Sequence, residues 1–101
     1  MVNKLNLDES CKPVFIRNDG DQFIISSGLG LNSTSEIGAR IMLGINNGLS
    51  ILEIKNELLE TYDVEEKDLC LDMIDFLISL NELQIISDSK AKFYINELRL
   101  V

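Results

Sequence analysis

Asp68, Asp72 and Asp75 stand four and three residues apart, and Ser79 and Glu82 continue the same spacing. On a helix they fall in one line. Carboxylates so arranged suggest acid–base chemistry, a hard-cation site, or attraction of a basic partner. Acid–base work needs two carboxyls whose environments push their pKa values apart, whereas like charges along one solvated face share an environment. A hard cation takes about six or more converging oxygens, more than one helix face offers. The chain has no histidine, so the usual general base near neutral pH and the commonest transition-metal ligand are both missing. Its two cysteines, Cys11 and Cys70, lie far apart and in no C-x-x-C pairing. Cys70 reads as a small buried thiol and Cys11 as a surface residue, with no disulfide between them. There is no Gly-rich phosphate loop. The sequence therefore predicts no catalytic residue, no metal site and no cofactor.

The aspartate line belongs to the stretch Val64–Leu80, where every other residue from Leu69 onward is apolar. The apolar arc from Phe76 round to Leu71 spans roughly 220°, while a surface helix needs little more than roughly 100° to face its core. Either the domain buries this helix on two sides, or one flank is kept for something else to cover.

The elements around it read from turn and period signals. Residues 1–12 show no clear period, with Leu5 and Leu7 as anchors. Pro13–Arg17 and Gln22–Ser26 read as strands joined by the turn Asn18-Asp19-Gly20-Asp21. After Ser27-Gly28, residues 29–33 form a third strand of an antiparallel meander. Leu29 and Leu31 point to one face, and the glycines leave room for a close approach. From Thr34 the period becomes helical. Thr34 or Ser35 is the N-cap (Ser33 with Glu36 is an alternative capping box), Ile37, Ile41 and Ile45 form the stripe, and Gly48 ends it in a left-handed C′ conformation. Ser50 and Glu53 form a capping box for a second helix through Ile51, Ile54 and Leu58. Asp63 caps the third, longest helix. Gln84–Ser87 and Lys92–Asn96, either side of Asp88-Ser89-Lys90, read as a hairpin in the position of a wing, or as a tail on the sheet or on a second molecule. The expected fold is α+β: a winged helix-turn-helix-like three-helix core with an N-terminal three-stranded antiparallel β-sheet.

A chain of 101 residues reads as one domain, with its core in residues 13–87. No apolar run approaches the roughly 20 residues of a membrane span, and the first ten residues lack the apolar region of a secretory signal. The expectation is a cytoplasmic protein without a membrane partner. Its net charge of −8 is localised: residues 53–82 hold ten acids against Lys55 and Lys67, and the remainder holds seven of each sign. Such a face keeps a protein soluble, or forms a rim that attracts a basic partner.

A winged core suggests DNA first. Duplex affinity comes largely from neutralising phosphates, yet the would-be recognition helix carries Glu65, Glu66, Asp68, Asp72 and Asp75 against Lys67. Nucleic acid is therefore not the expected partner, and binding to a peptide or protein remains.

The order and spacing of several short segments then match a pattern: Ser35–Ile41, Gly48-Leu49-Ser50, Glu53-Ile54, Tyr62-Asp63-Val64, Asp72-Met73, Phe76-Leu77, Leu80 and Ile85-Ile86. Over about residues 34–86 the chain resembles the PqqD-like family, the peptide-recognition elements of ribosomally synthesised, post-translationally modified peptide pathways. It departs from that family at Met42, where an aromatic residue is frequent, and at Leu31-Asn32, which lies three residues early. The tail after Ser87 falls outside the pattern.

The resemblance implies a non-catalytic domain of three strands on a winged three-helix core. The leader region of a precursor peptide adds as a strand beside the third strand, against the third helix. The domain then presents the peptide to a modifying enzyme, such as a radical S-adenosylmethionine enzyme, or to a leader protease. Strand addition requires an open edge and pockets for alternate side chains. The expected edge is Leu29, Gly30, Leu31, Asn32 and Ser33. Family core positions at Met73, Phe76, Leu77 and Leu80 leave Leu71, Ile74 and Ile78 as the surplus flank, with Lys67 above and Asp75 at its border. Two rivals stand beside this reading: an acidic winged-helix regulator or adaptor, and a homodimer in which residues 88–101 cover a partner's groove.

Overall fold

Two glycines fold the N-terminal third into a meander. Gly20, at φ 68°, is the first central residue of one two-residue turn, and Gly30, at φ 115°, closes the next. Both angles are ones that side-chain-bearing residues avoid. The computed structural model describes residues 2–100. Its strands are β1 (Val2–Leu5), β2 (Val14–Asp19), β3 (Gln22–Ser27) and β4 (Gly30–Thr34), in the sheet order β1-β2-β3-β4, all antiparallel. Four helices follow: α1 (Glu36–Asn46), α2 (Ile51–Thr61), α3 (Glu66–Glu82) and α4 (Asp88–Arg99).

The register puts Leu5, Val14, Ile16 and Ile25 on one face of the sheet, and all four are buried. That face packs on α1. α2 bridges α1, α3 and α4, and α3 lies against α4. α1 and α2 cross closely where a side chain on Gly44 would meet Ile54. Met73, Leu77 and Leu80 form the buried line of α3, with Leu69 and Cys70 on either side.

Ends of helices follow their chemistry. The Ser35 hydroxyl accepts from the Gly38 N–H, and Ser50 and Glu53 make the reciprocal capping box. At the end of α1, Gly48 at φ 82° bonds to the Ile45 carbonyl and Leu49 to that of Gly44, a Schellman pattern. The end of α3 repeats it: the N–H groups of Gln84 and Ile85 donate to Asn81 and Leu80 at 2.9 Å each. Here the left-handed residue is Gln84, at φ 61°.

Four expectations change. The sheet has four strands, because Val2–Leu5 pairs with Arg17–Val14. The third strand of the meander runs over residues 30–34, with Leu29 in the turn. α3 begins at Glu66 with Glu65 as N-cap and no side-chain cap, so Asp63 does not cap it. The hairpin over 84–96 is absent, and residues 88–99 form α4 instead. Ser87 caps α4 by accepting from the Lys90 N–H, and Ala91, Tyr94 and Leu98 bury one helical stripe. There is accordingly no wing at that place.

α4 is anchored through a carboxylate far away in the chain. Asp8 accepts from the Ser87 N–H at 2.9 Å and from both N–H and hydroxyl of Ser10. The Lys90 ammonium donates to the Leu7 carbonyl. Burial disfavours the charge on Asp8, but the bonds from Ser87 and Ser10 outweigh it and hold the carboxyl well below the usual range. A second tie joins α2 to α3: Lys55, buried at 4% exposure, places its Nζ 2.8 Å from Glu66 Oε2.

Candidate functional site

The meander ends on an open edge. Among the described residues β4 pairs only with β3, and the two-residue loop closes on the Ser27–Gly30 pair. Main-chain groups alternate along an antiparallel strand, so Gly30, Asn32 and Thr34 face β3, while Leu31 and Ser33 direct N–H and C=O outward. Leu31 is 71% exposed and Leu29 is also exposed. Open space surrounds Gly28 and Gly30, so nothing crowds the turn end of the edge.

Residues of α3 and its C-cap come to the two ends of this strand. A side chain on Gly38 would touch both the Thr34 hydroxyl and the Phe76 ring, so those residues flank α1 at one end of β4. At the other end, Gly28 and Leu29 share a cavity of about 400 Å³ with Leu83, Gln84 and Ile85, just past α3. Phe76 thus stands at the Thr34 end of β4 and Leu83, the C-cap of α3, at the Gly28–Leu29 end, with Asp72 one turn before Phe76. Asp72 and Phe76 line a recess of about 240 Å³ with Ile37, Gly38 and Ile41 of α1. A second recess adjoins it through Ile37 and Asp72, and its lip carries Asp63, Glu65 and Asp68.

The residues expected to form the peptide site fall in two places. Leu29, Gly30, Leu31, Asn32 and Ser33 lie at the edge strand and its turn. Lys67, Leu71 and Ile74 lie on the far side of α3, lining a groove with Leu98 and Arg99 of α4. At about 100° per residue, Ile78 shares that far flank and Phe76 lies roughly opposite it. The helix flank and the strand edge named together thus do not face each other. Asp75 sits on the solvent-exposed arc between the two flanks. Asp72, expected as part of the solvated aspartate line, and Phe76, expected in the core, share one line with Leu83 at spacings of four and seven on the aspartate side of the helix, and none of the three is among the expected peptide contacts.

The surplus apolar arc of α3 has a physical explanation. α4 covers part of it: Cys70 is buried and Ile74 half-buried, while Leu71 remains 55% and Ile78 41% exposed. Phe76, taken as core, is half-buried.

Chemistry at these residues is sparse. Burial pushes the Cys70 thiol up, Lys55 pulling it down and Glu66 adding to the rise, the opposite of an activated nucleophile. Among the described residues no cluster of three or more His, Cys, Asp or Glu side chains is placed to hold a metal ion. The Tyr62 hydroxyl donates to Glu36 at 2.7 Å, and that bond, then desolvation, raises its pKa against the pull of Arg40. Among the described residues no helix is long and apolar enough to cross a membrane.

Compared with protein-family models, curated proteins and solved structures, the chain matches none. The resemblance to the PqqD-like family therefore rests on residue spacing.

Proposed function

We propose that this chain is a non-catalytic peptide-binding domain that takes an extended segment as a fifth strand along β4. The observation that carries this reading is the free outer edge of β4, where Leu31 and Ser33 direct main-chain groups away from β3. Two residues offer up to four main-chain hydrogen bonds, each contributing roughly 0.5–1.5 kcal/mol net. Side chains of the added strand alternate faces, and on the helix side they meet Phe76, Asp72 and Leu83. Taken with the PqqD-like spacing, α1–α3 act as the three-helix core behind that edge. The segment is the leader of a ribosomally made precursor, presented to a modifying enzyme or a leader protease.

The acidic α3 face supports this over DNA binding, because Asp68, Asp72 and Asp75 are all exposed beside the cleft and would repel phosphates. The test is a titration of the leader segments of short peptides encoded next to this chain, each with a scrambled copy. Selective binding of one leader, lost when alternate backbone amides of that leader are N-methylated, is the expected result. Equal binding of leader and scramble, or indifference to N-methylation, contradicts it.

A further inference from the structure

The groove between α3 and α4 lies away from the β4 cleft and has a charge character of its own. It measures about 410 Å³ and is lined by Glu66, Lys67, Leu71, Ile74, Leu98 and Arg99, among others. α4 runs antiparallel to α3, since the Asn81 amide donates to Asp88 Oδ1 at 2.8 Å at one end and Leu98 meets Leu71 across the groove at the other. Leu71, Ile74 and Ile78 form an i, i+3, i+7 stripe about 10 Å long that α4 leaves partly open. Glu66 is held by Lys55 at 2.8 Å. The lip charges without an ion-pair partner among the described residues are therefore Lys67 and Arg99. In a chain of net charge −8, the groove ends in two cations.

We propose that this groove docks an amphipathic helix of a partner protein, with an aliphatic stripe flanked by carboxylates on the side that faces α4. A helix is the fitting occupant because both walls are helices with satisfied backbones, and an extended segment would find no main-chain partners there. Leu71, Ile74 and Ile78 take its apolar stripe, and Lys67 and Arg99 take its acids. Asp75, one step round α3 beyond Leu71, disfavours acids on the opposite side and so sets the orientation. This surface is independent of strand addition at β4, and its partner can be the enzyme that receives the peptide or another protein.

The test uses three synthetic helical peptides of about 18 residues, each with the same leucine stripe. One carries glutamates along one border, the second carries lysines in their place, and the third is a scramble of the first. The long-range field of an acidic protein favours the lysine peptide, whereas Lys67 and Arg99 at the groove favour the glutamate peptide. The glutamate peptide binds at least about fivefold tighter than the lysine peptide. Lys67→Glu with Arg99→Glu, both exposed positions, reverses that order while circular dichroism stays unchanged, and Ile78→Glu weakens both. Tighter binding of the lysine peptide, binding of neither, or binding equal to the scramble overturns the proposal. So does light scattering that shows a dimer of this chain dissolved by Ile78→Glu, because the groove would then be filled by a second copy.

Discussion

The Asp8 carboxylate accepts a 2.9 Å hydrogen bond from the backbone N–H of Ser87, 79 residues further along the chain. Its other oxygen accepts from the N–H and hydroxyl of Ser10, so one side chain ties the β1–β2 connection to the start of α4. The consequence is a pH dependence. Because these bonds hold the folded-state pKa below the ordinary value, their stabilisation is present above about pH 4, the range of a free carboxyl. It is lost as the pH falls below that towards the folded value. Asp8→Ala should cost about 1–2 kcal/mol at pH 7, as for loss of a cap. Asp8→Asn should cost less there and flatten the acid limb. Urea unfolding at pH 7 and pH 3 checks both, and the gap between Asp8→Asn and wild type should narrow at pH 3.

α4 also marks where sequence reading reached its limit. Lys92-Phe93-Tyr94-Ile95 has the β-branched and aromatic content of a strand. The helical signal was there in Ala91, Tyr94 and Leu98 at i, i+3, i+7, with Ser87 as cap. What decided the matter is tertiary: Asp8 and Lys90 fasten the first turn, and α3 offers an apolar flank for the stripe. β1 was illegible for a similar reason, since four residues carry little periodicity and its strand character comes from pairing with β2. By contrast Ser50, Glu53, Gly20 and Gly48 act locally, and their roles were plain from residue type. In the candidate site, periodicity told which α3 residues share a face but not which face meets β4. The edge strand was therefore legible while its opposing wall was not.

Gln84 occupies the left-handed C′ position of a Schellman motif that Gly48 occupies at the end of α1. A side chain there is strained by roughly 1–2 kcal/mol, partly offset by the extra chain entropy that glycine loses on folding. Gln84→Gly is expected to raise stability by about 0.5–1 kcal/mol, seen as a higher urea midpoint at unchanged slope. The same substitution at exposed Leu43, inside α1, should destabilise by a similar amount.

Lys55 is buried with one carboxylate partner, Glu66, whose own side chain is half exposed. Breaking a fully buried pair costs about 3–5 kcal/mol; solvent access at Glu66 reduces that, and Glu66→Gln should cost about 1–2 kcal/mol. Lys55→Met, which removes the buried charge and keeps the volume, should stay within about 1 kcal/mol of wild type. A double-mutant cycle in chemical denaturation measures the coupling.

Gly38 lies where Thr34, Phe76 and α1 converge, and a Cβ there would come within 3.0 Å of the Phe76 ring as well as striking the Thr34 hydroxyl. Gly38→Ala should therefore destabilise by about 1–2 kcal/mol despite alanine's better helix propensity. Gly38→Ala with Thr34→Ala and Phe76→Leu, which remove the hydroxyl and the ring edge that the new Cβ meets, should recover part of that loss, which thermal unfolding would show.

Addition of a strand to β4 would change the main-chain hydrogen bonding of alternate residues. Amide hydrogen exchange followed by NMR, with and without a saturating leader peptide, tests it residue by residue. The N–H groups of Leu31 and Ser33, free in the isolated domain, should become protected on binding, while those of Asn32 and Thr34, already bonded to β3, should change little. Binding that leaves Leu31 and Ser33 exchanging as fast as before would contradict strand addition at this edge.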